Sequence, residues 1–273
     1  MHITDLVAFL QCPRSKGKLA LKTHETVIST QGNEYPLISG VPVFTDDGPN
    51  VVVQPEGHLS NSINPDAQRL VDSTSGMVLN LSAGGTAEKR PNVVELEYSI
   101  FRNTDVVGDA HQLPFRDEVF DACICMNAFE HYWEPHVVAE EVFRVLKPGG
   151  TLFMHTAALQ PIHEPPHHYY NTTRYGLAQW LGGFEIEHIK VSENFNPAYA
   201  LSWLISEIER GAAWHRGPRE AKRLRDARLS DVMKFWRDPS SRKGRLWDLF
   251  VNLDESTREI CAAGWEARAR KPL

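Results

Sequence analysis

The densest run of groups able to do chemistry is HTAALQPIHEPPHHYYNTTRYG, residues 155–176. Four histidines fall within its first fourteen residues (His155, His163, His167 and His168), followed by Tyr169, Tyr170, Arg174 and Tyr175. Histidine titrates near neutral pH and suits proton abstraction, so His163 is a candidate general base. His163, Glu164 and His167 also fit the spacing H-E-x-x-H of zinc hydrolases. That chemistry needs both histidines on one helix face, and Pro165 and Pro166 break the helix, so no metal set is assigned. A second candidate base, His131, closes AFEH. It reads equally well as a helix-start residue bonded to the backbone.

Two acids stand where strands should end. Glu97 closes VVELE and Asp109 closes DVVGD, downstream of MVLNLSAGGT. A dinucleotide fold wants G-x-G-x-x-G in a unit of roughly 30 residues; here S-A-G-G-T is followed within about a dozen residues by the next acidic strand end. Pyrophosphate is a poor match. Gly84 and Gly85 still let a backbone approach a smaller nucleoside closely. A carboxylate at Glu97 could accept from both ribose hydroxyls, and one at Asp109 from an adenine amino group. Either acid alone is an ordinary loop residue or cap. In order, at successive strand ends, they form a pattern.

These residues need a frame. MVLNL, NVVELEY, DVVGDA, FDACICMN and TLFMHTA are short apolar or β-branched runs suited to strands buried on both faces. PHVVAEEVFRVLKPGG places Val138, Val142, Val145 and Leu146 on one helix face, stopped by Pro148, Gly149 and Gly150. Asn64 caps a short helix beginning at Pro65. The order predicts an α/β fold, a Rossmann-like, mainly parallel sheet flanked by helices. Ligands of such sheets sit beyond the strands' carboxyl ends. Residues 1–45 read as a small β-rich domain, 46–64 as a linker, 65–195 as the sheet domain and 196–273 as a C-terminal helical extension. In the extension Leu246, Leu249, Phe250, Leu253, Ile260 and Trp265 have buried spacing. It is expected to dock on the sheet domain or on a second subunit, as in a homo-oligomer.

Charge is uneven. Residues 211–273 carry 15 Lys and Arg against 9 Asp and Glu, while residues 1–210 balance at −12. A basic tail can meet nucleic acid, anionic lipid or acidic partners; interleaved with acids, it reads first as a solvated helical face. The acidic body argues against a nucleic-acid substrate. Cys12, Cys123, Cys125 and Cys261 show no loop-closing spacing, and the first residues lack a basic n-region, so a cytoplasmic location is expected. No apolar run reaches the roughly 18 residues of a membrane span.

VLNLSAGGT, VVELEY and VVGDAHQLPFRDEVFDACICMNAFEHYWEPHVVAEEVFRVLKPGGTLFMHTA together resemble the core of a class I S-adenosylmethionine-dependent methyltransferase. GDAHQLPF, FDACICMNAFEH and LKPGG carry the likeness. In the glycine loop Asn80, Ser82, Gly84 and Thr86 take the motif's positions with one glycine kept, and the helix after it is shortened to almost nothing. The resemblance implies that S-adenosylmethionine is the cofactor, that Ser82 and Gly84 lie against its methionine portion, and that Glu97 holds ribose. It also implies that Asp109 and Ala110 read adenine and that Asn127 lines the cofactor near the sulfonium. The segment after the fifth strand resembles the family's acceptor loop, which makes His163, His167, Tyr170 and Arg174 substrate-binding. The implied acceptor is an oxygen or nitrogen on a small molecule or glycan precursor; the alternative is a methyltransferase-like scaffold without turnover. FLQCPRSKGKLAL with NEYPLISGVPVF resembles the small zinc-binding partner domain of tRNA and release-factor methyltransferases. Ser15 stands in place of a cysteine, no C-x-x-C precedes NEYP, and tetrahedral zinc needs four ligands. A metal-free fold held by Leu10, Leu19, Leu21, Tyr35, Leu37, Val41 and Val43 is expected.

Overall fold

The computed structural model describes residues 2–45, 63–192 and 195–261; most of the expected linker and Trp265 lie outside them. The chain divides into two compact units, one of residues 1–158 with 169–187 and one of residues 159–168 with 188–273.

The first unit is built on a parallel sheet of β5 (Val78–Leu81), β6 (Val93–Glu97), β7 (Val106–Val107), β8 (Phe120–Met126) and β9 (Leu146–His155), in the order β7-β6-β5-β8-β9. Every residue of β5 is buried, as is all of β8 except Asp121, because the sheet is covered on both faces. Leu79, Leu81, Cys123 and Cys125 point to one apolar cluster, and Val78, Ala122, Ile124 and Met126 to another. That alternation is the two-residue period of a strand. Helix α2 (Pro65–Ser73) supplies Ala67 and Val71 to the second cluster, its start fixed by Asn64 Oδ1 accepting from Ala67 N–H at 2.7 Å. Helix α3 (Pro135–Val145) supplies Val138, Ala139, Val142 and Val145 to the first. It ends earlier than its glycines indicate. Leu146 already pairs with Phe120, and Ala122 pairs next with Thr151, so KPGG is an irregular entry into β9 with Gly149 at φ 78°.

The antiparallel sheet of β1 (Leu19–Thr23), β2 (Thr26–Ser29), β3 (Glu34–Ile38) and β4 (Val41–Pro42), preceded by α1 (Ile3–Leu6), belongs to the same unit. Leu10, Leu19, Val27, Tyr35, Leu37 and Phe44 share one apolar core with the parallel sheet, and Val43 bridges to Val107. Leu21, expected inside, is 38% exposed, because β1 is an edge strand whose register shifts between Leu21 and Thr23. The turns are tied by Asn33 Nδ2, which lies 3.5 Å from Cys12 Sγ, 3.3 Å from Ser15 Oγ and 3.3 Å from Ser29 Oγ. Burial raises the Cys12 thiol, but bonds from Ser15, Tyr35 and nearby backbone outweigh it and bring the pKa to about 7.

The second unit is helical: α5 (Pro197–Arg216), α6 (Pro218–Arg225), α7 (Leu229–Arg237), α8 (Gly244–Val251) and α9 (Glu255–Ile260); α4 (Arg174–Trp180) belongs to the first. Ala212, Leu224, Leu249 and Leu253 form the second unit's core, with Ile208, Leu246 and Phe250 packed on it. Gly211 lets α9 approach α5, since a Cβ there would stand 2.2 Å from Thr257 Oγ1. Among the described residues no helix is long and apolar enough to cross a membrane.

Candidate functional site

In a sheet ordered 3-2-1-4-5 the connections reverse direction at the first strand, here between β5 and β8, and ligands of such sheets bind beyond the carboxyl ends at that point. Four consecutive strand ends there carry the polar residues singled out in the sequence. Asp109 follows β7, Glu97 ends β6, Ser82 and Gly84 follow β5, and Asn127 follows β8. Asn80 lies one step deeper, buried in β5 opposite Glu95 and Ile124.

The two loops at the switch point turn sharply. Ser82 (φ 51°) and Asn127 (φ 55°) both take the left-handed conformation, uncommon without glycine and costly unless neighbours hold it. Ser82 is held by its hydroxyl, 2.7 Å from the Tyr132 phenol. Burial, above all, keeps that phenol neutral, far above its ordinary range. Asn127 donates its N–H to His155 O at 3.0 Å, while its side-chain Oδ1 is buried with no hydrogen-bond partner among the described residues. A buried acceptor of this kind is open to a donor from water or a bound ligand.

Glu97 spans its own loop and the next. Gly84 N–H donates to Oε1, and Tyr98 N–H donates to Oε2 at 3.1 Å. Behind it, residues 82–92 form turns without a helix, braced from the strands. Thr86 Oγ1 donates to Glu95 at 2.8 Å, Asn103 Nδ2 to Thr86 O at 3.0 Å, and Lys89 pairs with the buried Asp105. Asp105 also accepts from Glu95 N–H at 2.8 Å. Burial is the largest influence on Glu95 and lifts its pKa, against the Thr86 bond and the Lys89 charge.

Asp109 is organised differently. It caps the 3₁₀ turn Ala110–Gln112, with Oδ1 accepting from His111 N–H (2.9 Å) and Nδ1 (2.6 Å), so Oδ2 faces outward without a bond among the described residues. Burial raises this acid's pKa, but the His111 bonds and charge prevail and the net shift is downward. His111 Nε2 accepts from Glu134 N–H at 3.3 Å, so the proton of the neutral ring sits on Nδ1. The ring stacks on Trp133 at 3.8 Å and 17° and meets the edge of Tyr132 at 5.7 Å. His111, Tyr132 and Trp133 were not singled out in the sequence; the aromatic pair next to AFEH was the available signal.

The acceptor candidates fall in both units. In the first, His131 lies on the 3₁₀ turn Phe129–His131, its N–H bonded to Ala128 O at 2.9 Å and its ring within 4.8 Å of the Glu130 carboxylate. Glu130 is buried: Thr156 donates to Oε2 at 3.0 Å, and Oε1 has no partner among the described residues. Tyr170 donates its hydroxyl to Trp133 O at 3.0 Å, and Arg174 opens α4 with its guanidinium 5.7 Å from the Tyr175 ring centre. His163 and His167 belong to the second unit. His163 Nδ1 lies 3.0 Å from Pro161 O, and its ring meets His168 at 4.3 Å and Trp203 at 5.3 Å. His167 is exposed on a turn, and residues 163–167 contain no helix.

Residues 72–154 match the family model of the methyltransferase domain. An uncharacterized methyltransferase of Mycobacterium tuberculosis is 30% identical over 109 residues, covering 38% of this chain and 40% of that protein. A fatty-acid O-methyltransferase of Mycolicibacterium smegmatis is 37% identical over 84 residues, covering 31% of this chain and 28% of that protein. The chain therefore spans less than half the length of these curated relatives. Among solved structures, an S-adenosylmethionine-dependent methyltransferase from Mesorhizobium loti is similar over 50% of this chain and 87% of its own, at 16% identity and a TM-score of 0.34.

Proposed function

We propose, from the premise that residues 72–154 are a methyltransferase domain, that this chain transfers a methyl group from S-adenosylmethionine to an oxygen or nitrogen of a small molecule or glycan precursor in the cytoplasm. One observation carries the reading: four polar positions stand in order at consecutive strand ends, and the last, Asn127, has a buried acceptor without a partner among the described residues. The residues fit the cofactor. Asp109 offers Oδ2 to an amino group, with the Ala110 N–H beside it to reach an adenine ring nitrogen; Glu97, at the end of β6, places its carboxylate for ribose hydroxyls. Ser82 and Gly84 flank the methionine portion, and Asn127 accepts near the sulfonium. When bound, the cofactor supplies a methyl group already activated by the sulfonium charge.

The chain's own residues position the acceptor and take its proton. His131 is a candidate base, with the Glu130 carboxylate within 4.8 Å to orient the ring or balance its charge. Tyr170 and Arg174 are read as acceptor contacts, as are His163 and His167 on the loop of the second unit. The N-terminal sheet is read as a degenerate zinc-ribbon-like partner module, with hydrogen bonds around Asn33 where such a module has thiolates.

One observation favours a second reading, a scaffold without turnover: both Glu97 oxygens already accept backbone N–H groups, so the cradle is partly closed on itself. Calorimetry with S-adenosylmethionine, S-adenosylhomocysteine and NAD separates the two. Binding of the first two but not NAD supports the enzyme. Silence toward all three overturns it and leaves the scaffold.

A further inference from the structure

Helix α7 of the second unit has two apolar faces. Phe235 points inward, its ring 5.1 Å from Trp247 and 5.9 Å from Phe250. Leu229, Met233 and Trp236, at offsets of four and seven, line a second stripe and are 53%, 40% and 87% exposed. No residue of α7 is fully buried. An exposed tryptophan in register with two other large apolar residues is costly in water and marks an interaction surface.

Charge says what kind. Residues 218–251 hold ten Lys and Arg against five Asp and Glu. Four of the acids are matched within the unit: Glu220 by Arg245, Asp226 by Lys222, Asp231 by Lys234 and Asp248 by Arg216; the fifth, Asp238, caps Ser240 N–H. Arg228, Arg237, Arg242 and Lys243 make no ion pair among the described residues. Arg228 immediately precedes the stripe, and Arg237, Arg242 and Lys243 follow it. An apolar stripe carrying tryptophan, with cations at both ends outside any ion pair among the described residues, is the pattern of a helix lying in a lipid interface, its rings at the headgroup level and its arginines against anionic headgroups. A second copy is the poorer occupant, since a self-complementary contact through this face would set the unpaired cations of both copies together.

We infer that the outer stripe of α7, Leu229, Met233 and Trp236 flanked by Arg228 and Arg237, docks the chain reversibly on an anionic lipid surface. The inference is independent of the methyl-transfer reading. It requires no membrane-spanning segment.

Co-sedimentation of the full chain with phosphatidylcholine vesicles, with and without phosphatidylglycerol, tests it. Binding is expected to the mixed vesicles, weakening as salt is raised, with little to phosphatidylcholine alone. Arg228→Gln and Arg237→Gln should each weaken it about fivefold. Leu229→Gln/Met233→Gln/Trp236→Gln should weaken it by at least about tenfold while helix content stays unchanged, because all three positions are exposed and glutamine is a good helix former. Failure to bind either vesicle overturns the inference, as does binding that ignores lipid charge or survives the triple substitution. Concentration-dependent association in lipid-free buffer that the triple substitution abolishes would reassign the stripe to a second copy.

Discussion

The loops after β5 and after β7 serve the same edge of the sheet by opposite means. The β7 loop is local: Asp109 caps its own 3₁₀ turn and fixes His111 two residues away. The β5 loop keeps one glycine of its motif and has no helix behind it, so it is held from outside by Tyr132 on Ser82, Glu97 on Gly84 and Glu95 on Thr86. A lost local motif can be replaced by distant side chains, and the replacement makes the loop depend on the strands around it.

The largest expected effect lies in that bracing. Asp105, a buried acid, accepts from Glu95 N–H and pairs with Lys89, so Asp105→Ala leaves a buried donor and a cation unmatched. Chemical denaturation should show a loss of about 3 kcal/mol. Asp117, paired with Arg144 but 68% exposed, should cost at most about 1 kcal/mol as alanine. Equal effects would mean that the β5 loop does not depend on its braces.

That contrast also explains what could be read without coordinates. The run of strands, the helix start at Asn64 and the acids at strand ends follow from periodicity and capping, which act over a few residues. Asp105 and Asp117 look alike in sequence, as two acids in polar loops. Their difference comes from burial by residues ten or more positions away, which no local pattern encodes. Tyr132 escaped notice for the same reason: its partner, Ser82, lies fifty positions upstream. The assignment of residues 159–168 to the helical unit was equally hidden, since that loop has no periodicity of its own.

Ligand binding comes next in size. On the proposed reading, Glu97→Ala and Asp109→Ala each weaken S-adenosylhomocysteine roughly ten- to a hundredfold, as expected for charge-assisted bonds of about 1.5 to 3 kcal/mol. They should differ in a second measurement. Glu97→Ala frees Gly84 and should lower the melting temperature as well, whereas Asp109→Ala disturbs only its own turn. If the ligand-free melting temperatures fall equally, the distinction between a braced and a self-contained loop fails.

A smaller effect isolates one brace. Tyr132→Phe keeps the ring packing on Phe129 and His111 and removes the bond to Ser82, at about 1 kcal/mol, together with a long contact to Cys125 Sγ at 3.8 Å. Ser82→Gly alone relieves the left-handed backbone but leaves the buried Tyr132 hydroxyl without that partner. In the Tyr132→Phe background that bond is already gone, and the same change removes roughly 1 kcal/mol of strain. A double-mutant cycle should therefore show coupling above about 0.5 kcal/mol. Additive effects would mean that the hydroxyl contact does not support the turn.

The subtlest test is pH, because the acid that braces the β5 loop and the acid in the β7 loop are shifted in opposite directions. Burial and the nearby Asp105 charge raise Glu95 above its ordinary 4.5, outweighing the Thr86 bond and Lys89, so just above pH 4.5 the folded state holds a proton that the unfolded chain has released. Stability should fall there as pH rises. Asp109 lies below its ordinary 3.8, since the His111 bonds outweigh burial; just below that pH the unfolded chain is protonated first, and stability should fall as pH drops. Denaturation midpoints of Glu95→Gln should lose the decline above pH 4.5 and keep the acid limb, and Asp109→Asn should do the reverse. Should both variants alter the same limb, the two acids titrate as one network, and the separation between a braced β5 loop and a self-contained β7 loop would have to be abandoned.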